Sequence, residues 1–316
     1  MKDQEILLSV ICDVYNHEQF LHQCFDGFVM QKTDFKFEVL VHDDASTDKS
    51  AEIIMDYVNK YPDIFKPIIQ TENQFSKGEG DRIWTTYQFP RAKGKYLAFC
   101  EGDDYWIDPL KLQKQVDFLE NHKEVVVCSH TVLNYLQKNN KFVQNFYKVN
   151  FVKENNLSLY KYDLDNYWKF WVTQPLSCVI RNGDYLYHMP IEQYKVFYDV
   201  TFFYYVLKHG KGVLIDEDMG IYRVHGKGIW SSLTKGKALG LKIYQKMSVY
   251  KNENDRRPLY GIIKLLSSFF IHKISDLDFY GLITDLRKYH KQLPPFYTTL
   301  AFLNMPVLII KKIIHT

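Results

Sequence analysis

The chain has 316 residues, of which 46% are apolar and 24% charged, with 24 Tyr and 22 Phe. This length and balance suit an ordinary globular protein with one large α/β domain and an appendage, or two modest domains, and exclude a disordered or fibrous chain. The net charge of +3 is unevenly spread: from Thr234 onward 14 Lys and Arg stand against 5 Asp and Glu, whereas 26 stand against 32 before it.

Such asymmetry predicts a basic appendage that meets an anionic partner. Cys12, Cys24, Cys100, Cys128 and Cys178 are scattered and form no CxxC pair. This excludes a disulfide framework or a zinc site and predicts buried thiols in a reducing compartment. The residues after Met1 lack the basic flank and apolar core of a signal peptide. No run reaches the roughly 18–20 apolar residues that span a bilayer. A cytoplasmic protein is expected.

Ile6 to Cys12 is apolar apart from Ser9 and reads as a buried parallel strand. Glu18 to Gln31 carries apolar residues at helical period, and Phe37 to Val41 is a second strand ending in His42-Asp43-Asp44. Ser46-Thr47-Asp48 supplies cap chemistry for a helix from about Lys49 to Lys60, and Pro67 to Gln70 is a third strand. A polar loop leads to a helix through Trp84 and Tyr87, then to the strand Tyr96-Leu97-Ala98-Phe99. A helix from Pro109 and a strand at Val125 to Val127 follow, while Asn134 to Trp171 shows no period and reads as an irregular excursion. Ser177 to Ile180, Val213 to Ile215 and Met219 to Val224 read as strands, and Val196 to Lys208 as a helix with Asp199 near its start. Beyond Thr234 the pattern turns helical over Leu239–Tyr250, Leu259–Ile274 and Phe279–Tyr289. Alternating short strands and helices predict a mostly parallel, Rossmann-like sheet flanked by helices, with ligands bound beyond the carboxyl ends of the strands.

Two acidic pairs fall at such ends: Asp43-Asp44, and Asp103-Asp104 in the stretch Phe99-Cys100-Glu101-Gly102-Asp103-Asp104-Tyr105-Trp106. Three carboxylates within four residues need a positive partner. Divalent cations with oxygen preference, often shared with substrate phosphates, fit that need.

Three blocks together resemble a family 2 glycosyltransferase of GT-A fold. They are Ser9 to Asn16, Val39 to Asp48, and Ala92-Lys93-Gly94-Lys95-Tyr96 running into Glu101-Gly102-Asp103-Asp104. The resemblance covers about the first 230 residues. It implies an inverting enzyme that moves a sugar from a nucleotide diphosphate donor. It also implies that Tyr15 and Asp44 hold the base, a ring to stack on it and a carboxylate to accept the imide N–H that uracil or thymine offers. Asp103 and Asp104 match the DxD motif, with Glu101 at the place of its first Asp; they would contact the ribose and hold Mn²⁺ or Mg²⁺ against the diphosphate, Asp104 being favoured for direct metal contact. His225 matches a later block whose His joins the metal or diphosphate, and Gly226 and Gly228 would let the following loop move. Asp199 matches the catalytic Asp, the general base for the acceptor hydroxyl; Asp216, Glu217 and Asp218 are nearby alternatives in an acidic turn. Arg82, on the helix before the strand Tyr96 to Phe99, is either a phosphate contact or a surface arginine. The chain departs from the family pattern at Asp13, where Pro or Thr is commoner, and at Ala45, which stands for Gly.

The expected architecture is a catalytic domain over residues 1–233 and a basic, mostly helical region over 234–316. Phe296 to Ile310 is largely apolar and precedes Lys311-Lys312, which suits attachment in the interface of an anionic membrane. The expected function is a metal-dependent hexosyl- or N-acetylhexosaminyltransferase of bacterial polysaccharide biosynthesis. It would use a UDP-sugar and a glycan or lipid-linked acceptor, with no nucleic acid, peripherally at the inner face of the cell membrane. Nucleotidyl transfer, and a non-catalytic glycan-binding or scaffold role for the same fold, are the alternatives.

Overall fold

The computed structural model describes residues 5–145, 147, 149–154, 157–194, 197–228, 230–275, 288–289, 291–294, 296–301 and 303. Two compact units emerge, Met1–Glu192 with Phe197–His225, and Gln193–Val196 with Gly226–Thr316. The change-over falls at His225/Gly226, ahead of the expected 233/234.

In the first unit the apolar runs form strands because both of their faces are covered. The chain runs β1 (Ile6–Val14), α1 (Leu21–Val29), β2 (Lys36–Asp43), α2 (Ser50–Lys60) and β3 (Phe65–Ile69). It continues through β4 (Tyr96–Phe99), β5 (Tyr105–Trp106), α3 (Lys111–Asn121), β6 (Val125–Leu136), β7 (Lys141–Gln144), β8 (Val152–Glu154), β9 (Leu157–Tyr162) and α4 (Leu164–Tyr167). β10 (Val179–Arg181), α5 (Asp199–Leu207) and β11 (Lys211–Val224) complete it. The sheet order is β3-β2-β1-β4-β10-β6-β11-β9-β8, with β5 on β11 and β7 on β6. β3, β2, β1 and β4 are parallel, as are β6 and β11; β10 and the outer strands run antiparallel. Leu8, Val10, Cys12, Val39, Val41, Tyr96 and Ala98 pack with Phe25 and Phe28 of α1 in the main core.

The loops that leave β1 and β2 are stitched together. Asn16 turns left-handed at φ 55, takes Thr47 N–H on its side-chain oxygen at 2.8 Å, and gives its own N–H to Ser46 Oγ at 2.9 Å. Asp48 accepts from Ser50 N–H at 2.9 Å and Glu18 N–H at 3.0 Å, starting α2 and anchoring the entry to α1. Ala45 sits at φ 60, the conformation glycine favours, at a cost of about 1 kcal/mol for a residue with a β-carbon. Gly94 has a steric reason: a β-carbon there would stand 2.4 Å from Ser9 N and 2.6 Å from Leu8 C of β1.

Three expectations are corrected. The excursion at 134–171 contains β7, β8, β9 and α4. These short strands lie at or beside the sheet margin, where one face meets water and the apolar signal thins. The strands expected at 213–215 and 219–224 are one strand, β11, whose register shifts between Ile215 and Asp218 and between Asp218 and Gly220. Those bulges carry Asp216–Asp218 within the ladder, so no free acidic turn forms. The helix through Trp84 and Tyr87 is a series of short helical turns, 75–79, 80–82, 84–88 and 89–91.

In the second unit Thr234 caps α6 (Lys235–Glu253), and left-handed Asn254 ends it. α6 packs on α7 (Ile262–Ser275) through Ile243, Met247, Leu266 and Phe270. Of the helix expected at 279–289, all but the last two residues lie outside the described residues, as does the tail beyond 303.

Candidate active site

The carboxyl ends of β1, β2 and β4 converge. Cys100 N–H donates to Ile11 O and Gly102 N–H to Asp13 O, each at 3.0 Å, which extends the β1–β4 ladder into the acidic turn and pins it there. Gly102 is required by closeness, since a β-carbon would meet His17 Nδ1 and Leu21 Cδ2 at 2.9 Å.

Arg223, near the end of β11, grips this turn. Its N–H donates to Asp104 Oδ1, its Nε–H to Asp103 O and its Nη2 to Gln23 Oε1, all at 2.8 Å. The guanidinium lies 4.8 Å from the Phe20 ring centre and 5.0 Å from that of Tyr105. Two residues on, His225 Nε2–H donates to Asp103 Oδ2 at 2.9 Å, with the histidine side chain only 5% exposed.

The neighbouring carboxylates are therefore unlike. Burial pushes Asp103 up, but the His225 hydrogen bond and the His17 and His225 charges outweigh it, leaving Asp103 below its ordinary pKa. Asp104 is 3% exposed, and burial followed by the Asp103 charge raises it well above the carboxylate range. Glu101 is open to solvent yet ringed by protein. That surrounding, followed by the charges of Asp103, Asp13 and Asp199, pushes it up to about 8. Asp104 was expected to touch the metal, but one of its oxygens serves the Arg223 amide; Asp103 is the carboxylate paired with the histidine.

Asp199 opens α5. Two phenylalanines in that helix place it: Phe202 and Phe203 pack on Phe99 at 5.6 and 6.0 Å between ring centres, and Phe202 meets Trp84 at 5.0 Å. Phe99 immediately precedes the acidic turn, so the same contacts bring Asp199 within electrostatic range of Glu101. Tyr167 OH steadies the helix start by donating to Val200 O at 3.0 Å. Burial raises Asp199 to about 6, against a lowering hydrogen bond from Val200 N–H. Two of the alternatives point elsewhere: Glu217 pairs with Lys114 at 2.6 Å, and Asp216 accepts from Ser158 Oγ at 3.3 Å.

The other expected residues separate. Tyr15 presents its ring at the end of β1, 46% exposed, as a stacking platform needs. Asp44 is buried, and its two oxygens accept from Gln74 N–H at 2.6 Å and Phe75 N–H at 3.0 Å, so it caps the helical turn 75–79. Arg82 is paired with Glu79 at 3.2 Å and with Glu192, and among the described residues no ion pair joins it to the acidic turn. Sequence reasoning passed over Asp13 as a site residue. Its carboxylate accepts from Trp84 Nε1–H at 2.7 Å and Gln88 Nε2 at 3.0 Å, and burial raises its pKa. The only signal was its departure from the expected Pro or Thr.

Among the described residues, no group of three or more His, Cys, Asp and Glu can by itself hold a metal ion. Asp103 offers one oxygen beside His225 Nε2, whose proton a cation would have to displace, while His225 Nδ1 is buried without a partner. This pair fits a divalent cation whose remaining ligands come from phosphates and water.

The model of a family described as glycosyl transferase family 2 matches residues 9–181. An uncharacterized protein of Mycobacterium tuberculosis is 30% identical over 279 residues, covering 80% of this chain and 72% of its own. The UDP-Glc:α-D-GlcNAc-diphosphoundecaprenol β-1,3-glucosyltransferase WfaP of Escherichia coli is 32% identical over 117 residues, 37% of this chain and 43% of its own. In fold, residues 1–349 of S. aureus TarS in complex with UDP-GlcNAc superpose with a TM-score of 0.56 at 17% identity, over 85% of this chain and 73% of that one. The Pyrobaculum calidifontis mannosyltransferase PcManGT, in complex with GDP-Man and Mn²⁺, gives 0.53 at 13% identity over 96% and 88%.

Proposed function

The chain belongs to glycosyl transferase family 2, and on that premise we propose that it is a metal-dependent, inverting glycosyltransferase. It takes a sugar from a UDP-sugar and passes it to a glycan or lipid-linked acceptor in surface polysaccharide synthesis. The observation that carries this reading is the Asp103–His225 pair, held at the end of β4 by Arg223 with Asp199 on the facing helix. The TarS complex with UDP-GlcNAc and the diphosphoundecaprenol-linked acceptor in the name of WfaP support the donor and acceptor classes.

In this reading Tyr15 offers its exposed ring to the base, while Asp103 and His225 hold Mn²⁺ or Mg²⁺. When bound, the cation acts as a Lewis acid on the departing diphosphate. Asp199, ionised, takes the acceptor's hydroxyl proton as that oxygen attacks the anomeric carbon. One carboxylate suffices for inversion, because no covalent glycosyl-enzyme has to form and break. A thermal-shift titration with UDP tests the proposal: the melting temperature should rise with UDP in Mn²⁺ and rise less in EDTA. Indifference to UDP, GDP and dTDP alike, with and without metal, would remove it.

The acceptor class motivates a second part of the proposal, peripheral contact with the inner membrane face. No described helix is long and apolar enough to cross a membrane. Phe296 and Leu303, seven residues apart, are 63% and 68% exposed, as apolar side chains that enter a membrane interface must be. Co-sedimentation with phosphatidylglycerol vesicles is expected to fall severalfold in Phe296→Ser/Leu303→Ser. Equal partition of the double variant and the parent would dispose of the contact.

A further inference from the structure

His17 occupies the turn between β1 and α1, outside the chemistry assigned so far. Its N–H donates to Ser50 Oγ at 2.9 Å, and its carbonyl accepts from Phe20 and Leu21 N–H at 2.8 and 3.1 Å. With the backbone held on both sides, the ring is laid over Gly102, where a β-carbon would stand 2.9 Å from Nδ1. The turn beneath cannot retreat, because Gly102 N–H is itself bonded to Asp13 O at 3.0 Å.

The two edges of this ring differ. Nδ1 is buried with no hydrogen-bond partner, so a proton there would be left unsatisfied. The neutral ring therefore carries its proton on Nε2. His17 as a whole is only part-buried, and among the described residues no hydrogen bond engages that second edge. Asp103 is the charge nearest in effect to the ring, followed by His225. Phe20 lies between the two histidines, 6.3 Å from His17 and 4.8 Å from His225 between ring centres. Two imidazoles thus flank one carboxylate, and Asp103 is already served by His225. With its proton on Nε2, the ring presents a donor that an anion can accept from.

We propose that His17 is an anion-binding side chain of the donor site, its Nε2–H donating to the distal phosphate of the nucleoside diphosphate. The assignment rests on the UDP-sugar reading given above. It also accounts for the ring lying over the acidic turn, where a diphosphate brought to Asp103 and His225 would arrive.

Calorimetric titration with UDP and with UMP, both in Mn²⁺, separates the distal phosphate from the rest of the nucleotide. His17→Ala should weaken UDP by about tenfold while UMP stays within about twofold, the size of one charge-assisted hydrogen bond. His17→Gln, whose amide nitrogen reaches the place of Nε2, should recover most of the loss; the shorter His17→Asn should not. Unchanged UDP affinity in His17→Ala, or equal losses for UDP and UMP, would overturn the assignment while leaving the donor reading intact. A parent enzyme that binds neither nucleotide would instead take down the donor reading itself.

Discussion

Replacing Asp199 by Asn is expected to lower the transfer rate by about 10²–10⁴-fold, the usual worth of a positioned general base. UDP affinity should be unchanged, since the loss falls on proton transfer and not on the donor. The parent enzyme should show the matching pH dependence. Burial raises Asp199 to about 6, and only the ionised form accepts a proton, so kcat/KM rises with pH through about 6 and flattens above it. The stability effect has the opposite sign. A folded pKa above the ordinary 3.8 means that the folded state holds the proton more tightly. The ionised group therefore detracts from stability as pH climbs past 3.8, and the whole penalty is present above about 6. Asp199→Asn should then be more stable than the parent at pH 7, by about 3 kcal/mol. Urea unfolding and steady-state kinetics on the same preparation check both halves. A variant keeping more than about a tenth of the parent rate would move the base elsewhere.

Asp103→Ala should cost at least about a hundredfold in Mn²⁺ affinity, measured with UDP present, and abolish the gain in UDP binding that Mn²⁺ confers. Asp104→Ala should behave differently. Its carboxylate accepts the Arg223 N–H at 2.8 Å within the protein, so its removal leaves a buried donor unsatisfied. That costs about 2 kcal/mol of fold stability and leaves the metal dependence of UDP binding in place. Metal titrations monitored by UDP affinity, with urea midpoints beside them, distinguish the two residues. The reverse pattern, metal dependence lost with Asp104 and kept without Asp103, would exchange their roles.

The parallel block was legible because burial on both faces writes itself into sequence. β1 and β4 are nearly continuous apolar runs, and the turn after β4 is marked by Glu101, Asp103 and Asp104 within four residues. The margins were not legible. β7 and β8 are three or four residues long and largely exposed, so no alternation marks them. β11 was read as two strands because Asp216-Glu217-Asp218 mimics a turn. Only its partners β6 and β9 show the chain passing through in bulged register.

By itself the sequence determined which residues are chemically equipped to act: paired carboxylates at strand ends, an aspartate opening a helix, a histidine after a strand. Residue type and distance from the end of an apolar run are local properties, and a one-dimensional text carries them. Which of those groups face one another was decided by tertiary structure alone. Asp103 meets His225 across 122 positions of chain. Asp104 turns to the Arg223 amide, Asp44 to a helical turn 30 residues on, and Arg82 to Glu192 across the surface. Each choice depends on hydrogen-bond geometry and desolvation between segments far apart in sequence, where neighbours of like charge acquire unlike roles because one is buried against an amide and the other against an imidazole.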